Sequence, residues 1–528
     1  MFHLGSSTSL VDLGYDVIHL ILSSIRDDRQ HSDLLSISVV SKALRTCTLP
    51  LLFGDVAWPR EDTPEFYPSE IWVYIRRVRL VEARWTSGLQ HEIALDILSQ
   101  VLPKLPNLST FSYTLRAQPP SLAFILSLIN HNFTSLTSLH LSTSFLARDY
   151  SCHFVNISRM QEIVIKYPER STSLYAAPES KRLLSMECAA NLISGSRETL
   201  VHLDVPGEYF SLPTFAAMSG DKQFPALKRL VLRGYPPEHS ERYPIWTVLS
   251  NMPRLSVLEV CCKLRMIGVV PHRYVLMPTD PQILPKQDQS LPPFLKTLVI
   301  CNPSLTDNIL RRLPSSLQCL VLDFVPYWDV MNTGSDLLAY HNPEKLVRLL
   351  RALHAAGDSM PHLEHLRINM GWCVTPELLR RISIVFPGLH ILEFQGIRYF
   401  HRESHDFESN LDLFTQELSK FSYLHTLKLA VELKEDSYKE DGCLRKIGSV
   451  DESSQLWANT LARRVLGLKR IAFEHRRHTG KTIGSRSIVG EPLWVWYFLN
   501  RFPDEEGNIM RRADEAVDWD LLDKSFRW

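Results

Sequence analysis

No charge of one sign predominates in this chain of 528 residues: 58 Lys and Arg stand against 58 Asp and Glu, a formal net charge of zero. A balanced field draws in neither nucleic acid nor an anionic membrane, so no such partner is expected and any such contact would have to be local. No C-x-x-C pair occurs among the nine cysteines, which are scattered and mostly embedded in apolar runs. They read as reduced core thiols rather than a disulfide framework or a zinc site. The opening "MFHLGSSTSLVDLGYD" lacks a basic lead, and no run of 18 or more apolar residues occurs anywhere. Neither a secretory signal nor a membrane span is therefore predicted, and the expected compartment is the cytoplasm or nucleus.

Signatures of chemistry are also missing. No G-x-S-x-G, H-E-x-x-H or Cys-His pattern appears with supporting context. In "IAFEHRRHTGKTIG" a strand is followed by Gly480, Lys481 and Thr482, as at the end of a phosphate-binding loop, but the Walker spacing demands glycine at 475 and the residue there is His475. Without that glycine the backbone N–H groups cannot wrap a phosphate. His475 and His478 lack a third ligand at metal spacing. The expectation is a chain with no active site, no cofactor and no metal.

What the sequence has is a ladder. The length allows three or four ordinary domains or one long repetitive array, and 45% apolar with 22% charged residues suits a folded protein. From Ile75 onward an apolar residue, two of any kind, an apolar residue, one of any kind and another apolar residue recur. Clear copies are "LTSLHL", "LVHLDV", "LKRLVL", "LSVLEV", "LKTLVI", "LQCLVL", "LEHLRI", "LHILEF", "LHTLKL" and "LKRIAF", starting at 136, 200, 227, 255, 295, 317, 363, 389, 424 and 468. Weaker copies start at 75, 108 and 160. The last two apolar positions alternate as in a short strand with one buried face, and the first anchors the chain as it enters. One such strand cannot bury its own face, whereas stacked copies can form a parallel sheet.

The copies resemble leucine-rich repeats. Their ninth position, which in that family holds Asn or Cys, is Ser144, Glu208, Tyr235 and seven others but never either, so the repeats are irregular. Six of the twelve intervals between copies fall within the usual range of about 20–29 residues, and the longer ones have room for a helix. In "TPELLRRISIVFPGLHILEF", Thr375 caps a predicted helix, Pro376 occupies its first turn, and Leu378, Leu379 and Ile382 share one side. "NPEKLVRLLRALHAAGDSMPHLEHLRI" repeats that grammar from Asn342 to Gly357. The resulting expectation is an α/β chain with an irregular leucine-rich-repeat solenoid over 71–490, a curved parallel sheet with helices on its convex side. Residues 57–70 form a linker before it, and 491–528 a terminal cap or tail.

The first tenth of the chain lacks the ladder. In "YDVIHLILSSI" Val17, Ile21 and Ile25 are spaced by four and Ile18 with Leu22 forms an adjacent row, which predicts a helix. Ser32 or Asp33 can cap a second helix carrying Leu34, Leu35 and Ile37. A third, from about Val40, places Val40, Leu44 and Cys47 on one side before Pro50 ends it. Three short helices make too small a core to stand unaided. "LGYDVIHLIL…DLLSISVVSKALRTCTLPLLF" resembles an F-box over residues 10–56, with Gly14 after Leu13 where that family has proline.

That resemblance implies docking to the Skp adaptor, and through it to a cullin ubiquitin ligase, with the repeats holding an unidentified protein substrate. Carried over residue by residue, the adaptor-facing set is Leu13, Gly14, Val17, Ile21, Leu22, Leu34, Leu35, Val39, Val40 and Leu44, some of which must instead hold the helices together. The substrate-facing set is read from the ladder: the residue between the last two apolar positions projects away from the core. His140, Asp204, Glu259, Arg367, Glu393 and Lys428 stand there, a stripe of mixed charge around an apolar middle that suits a protein surface. A repeat scaffold without a ubiquitin role, its N-terminal helices simply capping the array, is the competing expectation.

Overall fold

The computed structural model describes residues 17–18, 20–23, 31–58, 66–81, 96–114, 135–142, 159–166, 179–217, 224–237, 245–262, 265–267, 270–272, 274–277, 291–302, 307–323, 360, 362–370, 374–396, 411–429, 452–483, 486–503 and 509–515. The chain divides into two compact units, Met1–Leu230 and Val231–Trp528.

The first unit begins with helical residues at 17–18 and 20–23, then helices His31–Ser38 and Lys42–Phe53. Extended backbone at Ser41 lets its hydroxyl accept from the Leu44 N–H at 3.2 Å, so the last of these helices starts after that cap rather than at Val40. It also runs through Pro50 to Phe53 instead of stopping there. Proline removes one helical N–H donor, but burial of Leu51 just beyond it keeps the chain in place. Ser32 and Asp33 lie inside the preceding helix rather than capping it.

At Gly54 the chain turns out of the helix. A Cβ there would stand 2.4 Å from the Pro50 carbonyl oxygen, so only glycine fits. The Gly54 carbonyl accepts from Arg76 and Arg77 N–H at 3.0 and 2.8 Å, which starts the sheet. Strands β1 (Asp55–Trp58), β2 (Arg77–Val81), β3 (Thr110–Thr114), β4 (Ser138–Ser142), β5 (Glu162–Lys166) and β6 (His202–Pro206) pair in that order, all parallel. β1 also has the ladder spacing, at Phe53, Val56 and Trp58, one copy before those read from the sequence, and the expected 57–70 linker begins inside it. Of that linker, residues 66–70 pack back: Tyr67 Oη donates to the Ala57 carbonyl at 3.2 Å, and Phe66 lies 5.9 Å from the Trp58 ring. β7 (Arg229–Gly234) contains the division between units.

In the second unit β8 (Val257–Cys262) is followed by a small antiparallel hairpin, β9 (Arg265–Ile267) and β10 (Val270–His272). Parallel pairing continues from β8 through β11 (Thr297–Cys301), β12 (Cys319–Asp323), β13 (His365–Met370), β14 (Ile391–Gly396) and β15 (Thr426–Leu429) to β16 (Arg470–Ile483). There the direction reverses: β17 (Arg486–Pro503) and β18 (Ile509–Glu515) are antiparallel. Residue 491, the expected start of a terminal cap or tail, falls inside β17. Gly480, Lys481 and Thr482 lie within β16, in extended backbone rather than a phosphate loop.

The thirteen ladder copies from Ile75 onward are all strands, and all three apolar positions of each are buried. The chain is thus a mixed α/β protein whose long, mainly parallel sheet is compatible with a solenoid. Helix Pro376–Val385 follows the sequence grammar: Thr375 Oγ1 accepts from Leu378 N–H at 3.2 Å, Pro376 opens the first turn, and Leu378, Leu379 and Ile382 are buried. The matching segment at 342–357 lies outside the described residues.

One buried acid organises the start of the 3-10 turn Asn308–Arg311. Asp307 accepts from the N–H groups of Leu276, Met277 and Ile309 at 2.7, 2.9 and 3.0 Å. Burial pushes its carboxyl up from 3.8 to about 6, against the opposing pull of those donors. Because the folded value lies above the unfolded one, the folded state binds the extra proton, and Asp307 costs stability as pH rises from 3.8 to about 6. Asp307→Ala should orphan three N–H groups and lower the unfolding free energy by about 3 kcal/mol in urea titrations. Asp307→Asn should flatten the pH dependence across that window, and an unchanged slope would refute the assignment.

Candidate functional site

The N-terminal helices sort their apolar residues into two sets. Ile18, Leu22, Leu34, Leu44, Cys47 and Leu51 form a closed cluster, with Leu22 1% and Leu34 0% exposed, and Ile37 and Leu52 pack against it. Leu22, Leu34 and Leu44 therefore hold the helices together and leave the adaptor-facing set. Val17, Ile21, Leu35, Val39 and Val40 point outward, Val39 at 80% exposure. Leu13 and Gly14 lie outside the described residues. Leu20, 73% exposed, joins the outward group and was missed. Its spacing of three from Val17, on the row that continues to Ile21, was the available signal.

That division follows from helix geometry. Ile18 and Leu22 stand one turn apart and face the other helices, while Val17, Leu20 and Ile21 occupy the adjoining arc. Val39 and Val40 follow the end of the middle helix in a turn, where their N–H groups donate to the Ser36 and Ile37 carbonyls. The small core closes without any of the six outward side chains.

The second candidate surface is the row between ladder positions, and its register is as the repeat demands. In the first unit Ser112, His140, Val164 and Asp204 are successive cross-strand partners. In the second, Glu259, Val299, Val321, Arg367, Glu393, Lys428, Ala472 and Trp496 form one line across seven ladders. Accessibility differs from expectation. His140 and Arg367 are half-buried, but Asp204, Glu259, Glu393 and Lys428 are buried and do not offer an open face.

Charge pairing explains how Glu393 and Lys428 tolerate burial. Glu393 lies 3.2 Å from His365 Nε2 and 3.9 Å from Lys428 Nζ. Lys428 Nζ in turn stands 5.0 Å from the Trp496 ring centroid. Ala472, between them in register, is small enough to leave space for that indole. Burial pushes the Glu393 carboxyl up, but His365 and Lys428 outweigh it and hold it below the ordinary range. Cys319 Sγ lies 3.4 Å from His365 Nδ1, so thiol, imidazole and carboxylate stand in sequence. Burial pushes that thiol up to about 12, which leaves it protonated and poorly nucleophilic at neutral pH.

His140 belongs to a second polar knot. Glu162 accepts from Ser138 Oγ at 2.6 Å and lies 2.8 Å from His202 Nδ1 and 3.3 Å from His140 Nε2. His140 and then His202 hold the Glu162 carboxyl far below its usual range despite partial burial. No group of three or more His, Cys, Asp or Glu able to hold a metal occurs among the described residues. Nor, among them, is any helix long and apolar enough to cross a membrane.

No protein-family model matches this chain, and no curated protein matches it. Among solved structures, the crystal structure of the Rad7 and Elc1 complex in yeast aligns with 74% of this chain and 91% of the other, at 13% identity and a TM-score of 0.31. At that score the likeness is remote.

The buried ion pair yields a direct test. Lys428→Met removes one of the charges beside the buried Glu393 and should lower stability by about 3 kcal/mol in denaturant titrations. Adding Glu393→Gln to that variant should restore most of the loss, and purely additive losses would show that the charges are not coupled.

Proposed function

We propose that this chain is the substrate-recognition subunit of a Skp-cullin-F-box ubiquitin ligase. Residues 10–56 act as an F-box that docks the Skp adaptor, and the repeats bind a protein substrate. The observation that carries the reading is the sorting of the N-terminal helices: their own core is complete, yet six large apolar side chains still face outward. Val17, Leu20, Ile21, Leu35, Val39 and Val40 are the docking residues, and apolar anchors of this kind can each contribute about 2 kcal/mol or more to an interface. Substrate contacts fall on two half-buried polar members of the row, His140 in the first unit and Arg367 in the second, and on exposed Arg233, which reaches Glu259 at 3.6 Å. No bond is made or broken by this chain. Its contribution is proximity, holding target lysines near a ubiquitin-conjugating enzyme carried by the cullin, in the cytoplasm or nucleus.

A second reading, a repeat scaffold whose helices only cap the array, is favoured by one feature: helix Lys42–Phe53 passes through Gly54 straight into β1. Co-purification separates the two. Leu35→Asp with Val39→Asp should abolish capture of a recombinant Skp adaptor by the full-length protein and leave its melting temperature unchanged. Leu34→Ala, by contrast, should destabilise the helical cluster by about 2–5 kcal/mol. Undiminished capture by the double variant would overturn the adaptor assignment. A large fall in its melting temperature would favour the capping role.

A further inference from the structure

β8 and β11 run parallel with Val257 beside Thr297, Glu259 beside Val299 and Val260 beside Ile300. One residue further along each strand stand Cys261 and Cys301. Because side chains alternate, both leave the sheet on the face that carries Glu259 and Val299, opposite the apolar core. Neighbouring strands lie about 4.8 Å apart, inside the Cα separation of roughly 4.4–6.8 Å that a disulfide spans. Both cysteines are free thiols. The adjacent Cys262 points to the other face, where it is buried.

The two sulfurs differ in access. Cys261 is partly exposed and Cys301 is buried. The neighbouring Cys261 side chain and then burial push the Cys301 thiol far above its ordinary range, so Cys301 is not the sulfur that meets an oxidant first.

We propose that Cys261 and Cys301 are a reversible oxidation site, at which a peroxide closes a disulfide between two neighbouring repeats. The Cys261 thiolate attacks one peroxide oxygen, the O–O bond breaks, and the departing hydroxide takes up the thiol proton as water, leaving a sulfenic acid on Cys261. Cys301 sulfur then attacks the Cys261 sulfur. The S–O bond breaks, the S–S bond forms, and the Cys301 proton leaves with the hydroxyl as a second water. In sum two thiols and one hydrogen peroxide give one disulfide and two waters, with two electrons passing to the peroxide. A thiol reductant of the glutathione class reverses it by exchange. Covalent closure of the segment from 261 to 301 restricts the unfolded chain and staples β8 to β11.

The test uses the reduced full-length protein treated with hydrogen peroxide, alkylated after denaturation, digested and mapped by mass spectrometry. The expected product is a peptide pair linked through Cys261 and Cys301. It should disappear with dithiothreitol, and alkylation of these two cysteines should fall together while that of Cys47, Cys262 and Cys319 persists. Cys261→Ser should abolish the link and Cys262→Ser should keep it, and the oxidised protein should melt at a higher temperature than the reduced one. Cys261 ending as a sulfinic acid, Cys261 linked to any other cysteine, or both thiols surviving peroxide that oxidises free cysteine in the same tube would each overturn the site. The wild-type map alone decides, even if a variant fails to fold.

Discussion

A strand that is apolar on one face is stable only when a second strand satisfies its backbone and a further layer covers that face. Each ladder copy meets this condition by borrowing from the one before. In each unit the carbonyl of a residue entering one strand accepts from two successive N–H groups entering the next, as Arg76 does for Ser109 and Thr110, and Gln318 for Glu364 and His365. The three apolar positions then turn inward together. Removing the neighbour would leave both the donors and the apolar side chains exposed, so no repeat is independent of its predecessor.

That local dependence is why so much of the architecture was legible in the residues. Thirteen strands follow from a spacing rule, and the cap at Thr375 with Pro376 follows from the chemistry of helix ends. β1 obeys the same rule in "FGDVAW", with Val56 and Trp58 buried, but its anchor Phe53 is also the last residue of a helix, which hid the copy; Gly54 then brings it beside β2. The reversal at β17 was hidden for a different reason. "EPLWVWYFLNRF" has the composition of a strand but nothing in its pattern specifies direction, which here is fixed by pairing with β16.

The candidate surfaces were half legible. Periodicity placed Val17, Ile18, Ile21 and Leu22 on a helix, yet two adjacent apolar rows of similar strength cannot reveal which one the remaining helices cover. The packing chooses Ile18 and Leu22. In the ladder row the register was predictable and the burial was not. Aligned by copy, Arg367, Glu393 and Lys428 alternate in sign, a pattern that would have suggested mutual neutralisation beneath cover rather than an open face. The indole that completes it, Trp496, comes from the direction-reversed β17, so no repeat rule could have supplied it.

The change of strand direction after β16 also bears on how such an array can lengthen. Between two parallel neighbours an inserted copy finds the same register on either side, so internal duplication preserves every hydrogen bond that flanks it. A copy appended after β16 would displace an oppositely running partner and lose the Trp496 cover over Ala472 and Lys428. At the β16 edge the parallel ladder is thereby closed to a further copy, because β17 already occupies that edge in the opposite direction.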